Sequence, residues 1–373
     1  MKRNKLHKLL CCTVFAVLSV SLYAQEWETY SVFAAGENNA HSHRIPALIT
    51  AKDSSLIAIA EARWESWVDK TLTDIVARRS TDGGKTWSKI VKLTDVITGA
   101  YMDPTPVVDR STGEIFLFFS YWPADDHSGR KNQAYMVTSS DNGVSWSKPR
   151  EVTNEIAPGD LRLQGFGPGI GIQMEGGKYK GRLVMPVRMM DISDKSRYVT
   201  AYYSDDHGRN WKLGEPIDRS NELQFAESPK GTIVANIRDA NVKWVSRSRD
   251  GGMTWSESEI DEGLPSVGHG CQSSIYGIGK RLWYTGITGR PEDSSYDNRA
   301  DLKLFKSKDG GKTWFSNSLI YDEAAGYSCI SFLPDGSMAV LYEAADTPGF
   351  VRDAIRRDWM RMDIVIIPKE DLY

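Results

Sequence analysis

The chain has 373 residues, with 46 lysines and arginines against 49 aspartates and glutamates, a formal net charge of −3. That acidic balance argues against nucleic acid as a partner. Cysteine is scarce: Cys11 and Cys12 sit near the N-terminus, and only Cys271 and Cys329 lie beyond it. This excludes a disulfide framework, although one bridge stays open.

In chain order, the N-terminus reads first as a targeting segment. Lys2, Arg3, Lys5 and Lys8 precede an apolar, uncharged run from Leu9 to Leu22, and Ala24 is a cleavage point before Gln25. Residues 1–24 are therefore expected to be a signal peptide, and the mature protein to be secreted or periplasmic. Removing them takes away four positive charges and moves the formal charge from −3 to −7. The alternative is a retained anchor, but the apolar run is short for a membrane span, so no stable membrane insertion is expected. Residues 25–373 contain no low-complexity linker and no appended module, and they read as one domain.

The first repeating unit follows. His43 to Thr50 reads as a strand that starts with Arg44-Ile45-Pro46. Ser54-Ser55 turns the chain into a second strand, Leu56 to Ala62, which ends at Arg63. A loop through Asp69 leads to a third strand, Asp74 to Arg79. The octapeptide Ser80-Thr81-Asp82-Gly83-Gly84-Lys85-Thr86-Trp87 comes next, and Lys89 to Leu93 reads as a fourth strand. The same octapeptide pattern recurs at 139–146, 204–211, 248–255 and 307–314. A motif repeated at such spacing marks a propeller, solenoid or array. Its Asp and Gly make a tight turn, in which the Asp side chain bonds nearby backbone N–H groups. Its Trp is expected to plug the gap between neighbouring sheets.

Similar units continue from Asp103, Gly165, Glu222, Cys271 and Tyr327. The last one lacks the octapeptide. Met362–Ile367 reads as its third strand, and Glu28–Phe33 is free to supply the fourth and close a ring. The expected fold is all-β: a six-bladed β-propeller of four-stranded antiparallel blades.

Strand parity then sorts the residues. Within a unit, strand-one starts, strand-two ends, the following loops and strand-three starts share one rim. The octapeptides fall on the other rim, where turn chemistry and Trp packing account for them. The first rim collects Arg44, Arg63, Asp69, Asp103, Glu222, Arg238, Arg299, Tyr327 and Glu343. Arginines suit a bound carboxylate because their planar fork donates two parallel hydrogen bonds. Asp69 and the pair Glu222 and Tyr327 complete a glycosidase-like set.

These motifs resemble those of the exo-sialidases, or neuraminidases, of the bacterial and animal type, over nearly all of residues 28–373. Arg44-Ile45-Pro46 is similar to that family's Arg-Ile-Pro motif, and the octapeptides to its Asp boxes. Glu61-Ala62-Arg63 with Asp69, Asp103-Pro104-Thr105-Pro106 and Glu222-Leu223-Gln224-Phe225-Ala226-Glu227 also match. So do Asn236-Ile237-Arg238, Arg299-Ala300-Asp301-Leu302, Tyr327-Ser328 and Leu341-Tyr342-Glu343. The resemblance implies that Arg44, Arg238 and Arg299 clamp a sialic acid carboxylate and that Glu343 orients Arg44. It makes Asp69 the acid/base, Tyr327 the nucleophile and Glu222 its base, with Arg63 and Asp103 on the ring substituents. The implied partners are sialylated glycans, and no redox or nucleotide cofactor and no metal is implied. One departure is His43, where the family has Phe or Tyr; it bears on the pH profile.

Competing readings remain at this stage. Asp74 is a second acid close to Asp69. His41 and His43 share a strand face but lack further metal ligands. Trp64, Trp67 and Trp122 either line a sugar pocket or pack. A trans-sialidase would use the same site with a sugar acceptor. A sialic acid lectin would need only the clamp, and a purely structural propeller leaves the rim arginines unexplained.

Overall fold

The computed structural model describes residues 27–126, 128–290, 298–345 and 361–373. The expected signal peptide at 1–24 lies outside them. Strands dominate, as the sequence pattern requires. Leu56–Arg63 is buried along its whole length. A strand covered on both faces reads as a continuous apolar run, without polar alternation.

The pairing repeats one arrangement along the chain. Ser42–Thr50, Leu56–Arg63, Thr73–Ser80 and Val91–Lys92 pair antiparallel in sequence order. Ala100–Val108, Ile115–Trp122, Gln133–Ser139 and Arg150–Glu151 do the same. In the next set, Leu161–Phe166 and Ile172–Gln173 share one edge of Leu183–Asp191, and Arg197–Ser204 and Lys212–Leu213 follow. Leu223–Ser228, Thr232–Arg238, Lys243–Ser248 and Glu259–Ile260 form another set. Ser274–Ile278, Arg281–Ile287 and Ala300–Ser307 continue into Phe315–Phe332. That long strand then pairs with Met338–Ala344, which pairs with Arg361–Ile367. Glu28–Phe33 completes this last sheet against Arg361–Ile367, as expected.

Some boundaries differ from the sequence reading. Phe315–Phe332 is one strand of 18 residues, so Tyr327 lies within a strand and does not open one. No Gly or Pro interrupts the chain from Phe315 to Ala325, and nothing there breaks the extended backbone. This strand joins two sets into a seven-stranded sheet. Cys271 precedes its strand, which begins at Ser274. Cys271 and Cys329 are both free and buried, so the open bridge is not made. The fourth strand of the first set is only Val91–Lys92, exposed at a sheet edge. Short charged edges resist pairing with other chains.

The octapeptides are self-contained turns. Asp82 accepts Thr86 N at 2.9 Å and Thr86 Oγ1 at 2.5 Å, and Ser80 Oγ donates to it at 2.8 Å. Trp87 Nε1 donates to Gly84 O at 3.0 Å. The Trp does bridge sheets. Trp211 stacks on Tyr202 of its own set and meets Phe116 and Phe118 of the preceding one edge-on.

Candidate active site

The site is built on breaks in the first strands. Register slips between Arg44 and Ala47, between Met102 and Thr105, and between Ala325 and Ser328. A bulge re-aims a side chain but leaves a backbone N–H without its ladder partner. Buried carboxylates take those groups. Glu343 accepts Ile45 N at 3.0 Å through one oxygen and Tyr327 N at 3.0 Å through the other. Glu61 accepts Asp103 N at 2.9 Å. The bulges carry strain: Ile45 has φ of 61° and Asp103 of 58°, unfavourable above all for a β-branched residue.

The predicted rim residues come together. Arg44 forks onto Glu343, at 3.1 Å from Nε and 3.2 Å from Nη2, and its Nη1 lies 3.5 Å from Asp69. Tyr327 Oη donates to Glu222 at 2.6 Å and accepts from Arg238 Nη1 at 2.7 Å. Arg238 also reaches Glu222 at 2.7 Å. The guanidiniums of Arg44, Arg238 and Arg299 stand 5.4, 5.9 and 5.7 Å from the centre of the Tyr327 ring. Arg238 Nε is buried without a hydrogen-bond partner. A buried, unpaired guanidinium N–H is costly unless a ligand occupies it.

Electrostatics divides the acids. Burial pushes the Glu222 pKa up, but Arg238 and Arg188 outweigh it and hold the carboxyl below its usual value. Glu222 is therefore ionised beside a phenol that burial raises well above its ordinary range. Asp69 has a side chain 65% accessible in the mouth of the site. Desolvation raises its pKa, and Arg63 and Arg44 more than reverse this, to about 2.

Asp69 and Asp74 are now distinguishable. Asp74 is fully buried and spoken for by Trp64 Nε1, Thr94 Oγ1, Val96 N and Lys92 Nζ. It is a packing residue, whereas the Asp69 carboxylate is accessible. Trp64 belongs to that buried network. The Trp67 carbonyl accepts Arg63 Nη1 at 2.5 Å. Lys70 Nζ sits 3.8 Å over the Trp122 ring and covers one of its faces.

Two expected substrate contacts are otherwise engaged. The Arg63 side chain has no accessible surface; it bonds Glu61 at 2.7 Å and Asp69 at 2.7 Å, so it backs the acid and does not face the mouth. Asp103 is ion-paired with Arg188. Burial, reinforced by Glu61 and Glu222, raises the Asp103 pKa despite Arg188. His43 stacks on Phe33, and its Nδ1 lies 3.0 Å from Ala34 O. Burial lowers its pKa to about 4, so its ring is neutral above that and does not shape a profile near neutrality.

Glu61 and Arg188 were not assigned from the sequence. Glu61 sits two residues before Arg63 on the same strand face, and that spacing was a usable signal. Arg188 is the one basic residue in the largely apolar strand Leu183–Asp191, but its partner is 85 residues away. Gly165 makes room for this pair. A Cβ there would lie 2.2 Å from Arg188 Nη2 and 2.6 Å from Asp103 Oδ2.

A separate cavity of about 620 Å³ opens at the opposite ends of the first strands, lined by Leu48, Arg110, Glu227, Tyr276 and Phe332 among others. The residues of the Tyr327 cluster do not line it.

A model of the BNR repeat-like domain matches residues 62–340. A sialidase of Micromonospora viridifaciens is 30% identical over 342 residues, covering 83% of this chain and 50% of that one. A sialidase of Bacteroides fragilis is 30% identical over 348 residues, covering 83% and 61%. This chain belongs to the BNR-repeat sialidase family. It spans 50–61% of the length of those two relatives. Among solved structures, the Hadza microbial sialidase Hz136 superposes with a TM-score of 0.76 at 26% identity, over 92% of this sialidase-family chain and 68% of the other.

Proposed function

We propose that the mature protein is an exo-α-sialidase that releases terminal sialic acids from glycoconjugates with retention of configuration, through a covalent intermediate on Tyr327. One observation carries this reading: the Tyr327 hydroxyl lies between the Glu222 carboxylate and Arg238 within a ring of three arginines.

The chemistry follows from charge. A sialic acid bears a carboxylate on its anomeric carbon. A second carboxylate attacking there would meet like charge, costing on the order of 4 kcal/mol at 4 Å and moderate dielectric. A phenol avoids this, and sialidases are a recognised exception among two-carboxylate glycosidases. Glu222 takes the phenol proton as Oη bonds to the anomeric carbon and the leaving sugar departs. Arg238 steadies the developing phenolate. Asp69 protonates the leaving oxygen and then draws a proton from water, which displaces the phenolate as Glu222 returns its proton to it. Asp69 is ionised in the empty site. The substrate carboxylate offsets the pull of Arg44 on it, and this raises its pKa toward the protonated form that the first step needs.

Two further parts of the reading concern the whole molecule. The repeated strand sets are read as six blades closing into a ring. Ser42–Thr50 packs on both Ala100–Val108 and Phe315–Phe332, which supports closure. The leader at 1–24 is read as directing export or periplasmic residence. The transferase alternative is weakened because Lys70 occupies one face of Trp122. Asp69, Glu222 and Tyr327 exceed what a lectin needs.

The test is a fluorinated sialosyl fluoride given to the purified mature chain. It should leave a sugar adduct on the peptide that contains Tyr327, and Tyr327→Phe should form none. An adduct on any other residue, or full turnover by the Phe variant, overturns the assignment.

A further inference from the structure

Lys243 has no role in the steps above. Lysine is seldom fully buried without an acidic partner, yet this one is 2% exposed. It opens the strand Lys243–Ser248 and pairs directly with Arg238, the last residue of Thr232–Arg238. Opposed residues of an antiparallel pair share a face, and like charges there repel. Burial lowers its pKa to about 8; Arg238 and Arg299 act in the same direction, and Cys271 and Glu222 against it.

A backbone carbonyl holds the ammonium: Nζ donates to Cys271 O at 2.6 Å. The two carbonyls before it hold the neighbouring cations. Gly270 O accepts from Arg299 Nη2 at 3.3 Å, and His269 O from Arg238 Nη2 at 3.4 Å. Three consecutive carbonyls thus face three cations. The ridge has little slack, because Gly270 has φ of +75° and a Cβ there would come 2.3 Å from Asp239 O.

Formal charge points the same way. In the contact cluster the guanidiniums of Arg44, Arg63, Arg188, Arg238 and Arg299 equal in number the carboxyls of Glu61, Asp69, Asp103, Glu222 and Glu343, with Arg299 set against the Tyr327 ring and the Gly270 carbonyl. Lys243 is the surplus cation beside them.

We infer that Lys243 is a positioning residue. Its ammonium fixes the carbonyl ridge at 269–271 that aims Arg238 and Arg299, and it supplies the net positive charge that a bound substrate carboxylate neutralises. This rests on the sialidase reading.

The experiment measures inhibition by the 2,3-dehydro derivative of sialic acid and by its methyl ester. Wild type, Lys243→Met, Lys243→Arg and Arg299→Ala are compared as mature proteins. Lys243→Met should weaken the acid by on the order of tenfold at neutral pH and change the ester little. Its melting temperature should hold or rise, since a buried charge is gone. In wild type the affinity for the acid should fall as pH rises through about 8, where the ammonium is lost. Lys243→Met should lack that limb, and Lys243→Arg should keep tight binding without it. Of the other groups facing Lys243, the arginines cannot lose their proton in this pH range, Glu222 stays ionised and burial raises the Cys271 thiol. Acid binding by Lys243→Met equal to wild type, with the same pH profile, overturns the inference. Loss of binding in Arg299→Ala would meanwhile leave the sialidase reading standing. If wild type does not bind the acid at all, both fall. Should Lys243→Met fail to fold, flat wild-type inhibition between about pH 7 and 9 overturns the inference alone.

Discussion

Asp69 and Asp82 are both exposed aspartates whose pKa is lowered to about 2, and they reach that value by different means. Around Asp82, burial is the largest single effect and raises the pKa, and the Thr86 hydroxyl, the Thr86 N–H, Ser80 and the Lys85 N–H together outweigh it. All these partners fall within the octapeptide, and none of the lowering is attributed to a charge. Around Asp69, the lowering comes from Arg63, Arg44 and Arg299, which the chain brings in from up to 230 residues away. A carboxylate held by its own turn is a structural part with one stable state. A carboxylate held by cations has a pKa that any arriving anion can change. That difference separates a fixed brace from a group whose charge a bound anion can switch.

The comparison breaks first, and most visibly, at Asp69. Asp69→Asn should lower kcat on a natural sialoside by roughly 10²–10⁴-fold. An aryl sialoside, whose leaving group needs no proton, should suffer much less. Equal losses on both substrates would remove Asp69 as the acid.

Arg299→Ala comes next. Losing one clamp arginine from a desolvated carboxylate should cost about 3 kcal/mol in kcat/KM, with the melting temperature nearly unchanged. Unimpaired turnover in the folded variant takes Arg299 out of the clamp.

Asp82→Ala should do the opposite. It leaves the Thr86 N–H and two hydroxyls to water, costing roughly 1 kcal/mol of stability once exposure is allowed for. Kinetics of the folded enzyme should stay as in wild type. A large fall in kcat without a fall in melting temperature would contradict the separation of the two rims.

The smallest effect concerns protons. Both carboxyls have lowered pKa values in the folded state. Each therefore adds stability above its ordinary value, and that contribution is lost as pH falls through about 2. Binding should distinguish them. A sialic acid analogue offsets the arginines around Asp69, so it should take up a fraction of a proton that grows as pH falls below about 5. Calorimetry in buffers of different ionisation enthalpy would detect it. Asp82→Ala should leave the uptake intact, and Asp69→Asn should abolish it. Uptake that persists in Asp69→Asn would place the proton elsewhere.

Much of the site was legible because parity is a local rule. Arg44, Arg238, Arg299 and Glu222 fall within two residues of strand starts and ends that period-two patterning locates, whereas Tyr327 lies inside the long strand Phe315–Phe332. Glu343 was expected to orient Arg44, and the Arg44 guanidinium forks onto it. That it also caps the backbone of Ile45 and Tyr327 depends on bulges in two strands far apart in sequence. The preference for Asp69 over Asp74 rested on loop against strand, and Asp74 is buried in a polar network with Thr94 and Val96. The family resemblance implied a ring-substituent contact for Arg63, and its side chain bonds Glu61 and Asp69.

By itself the sequence determined whatever rests on neighbours along the chain: the alternating strands and the octapeptide turns with their Ser–Asp–Thr bonds. Tertiary structure alone decided the pairing of distant charges. Arg188 meets Asp103, Lys243 meets Cys271 O, and three arginines surround Tyr327. The physical reason is range. Turn and strand preferences act over a few residues, whereas a buried charge takes whichever partner the packed sheets bring within hydrogen-bonding distance.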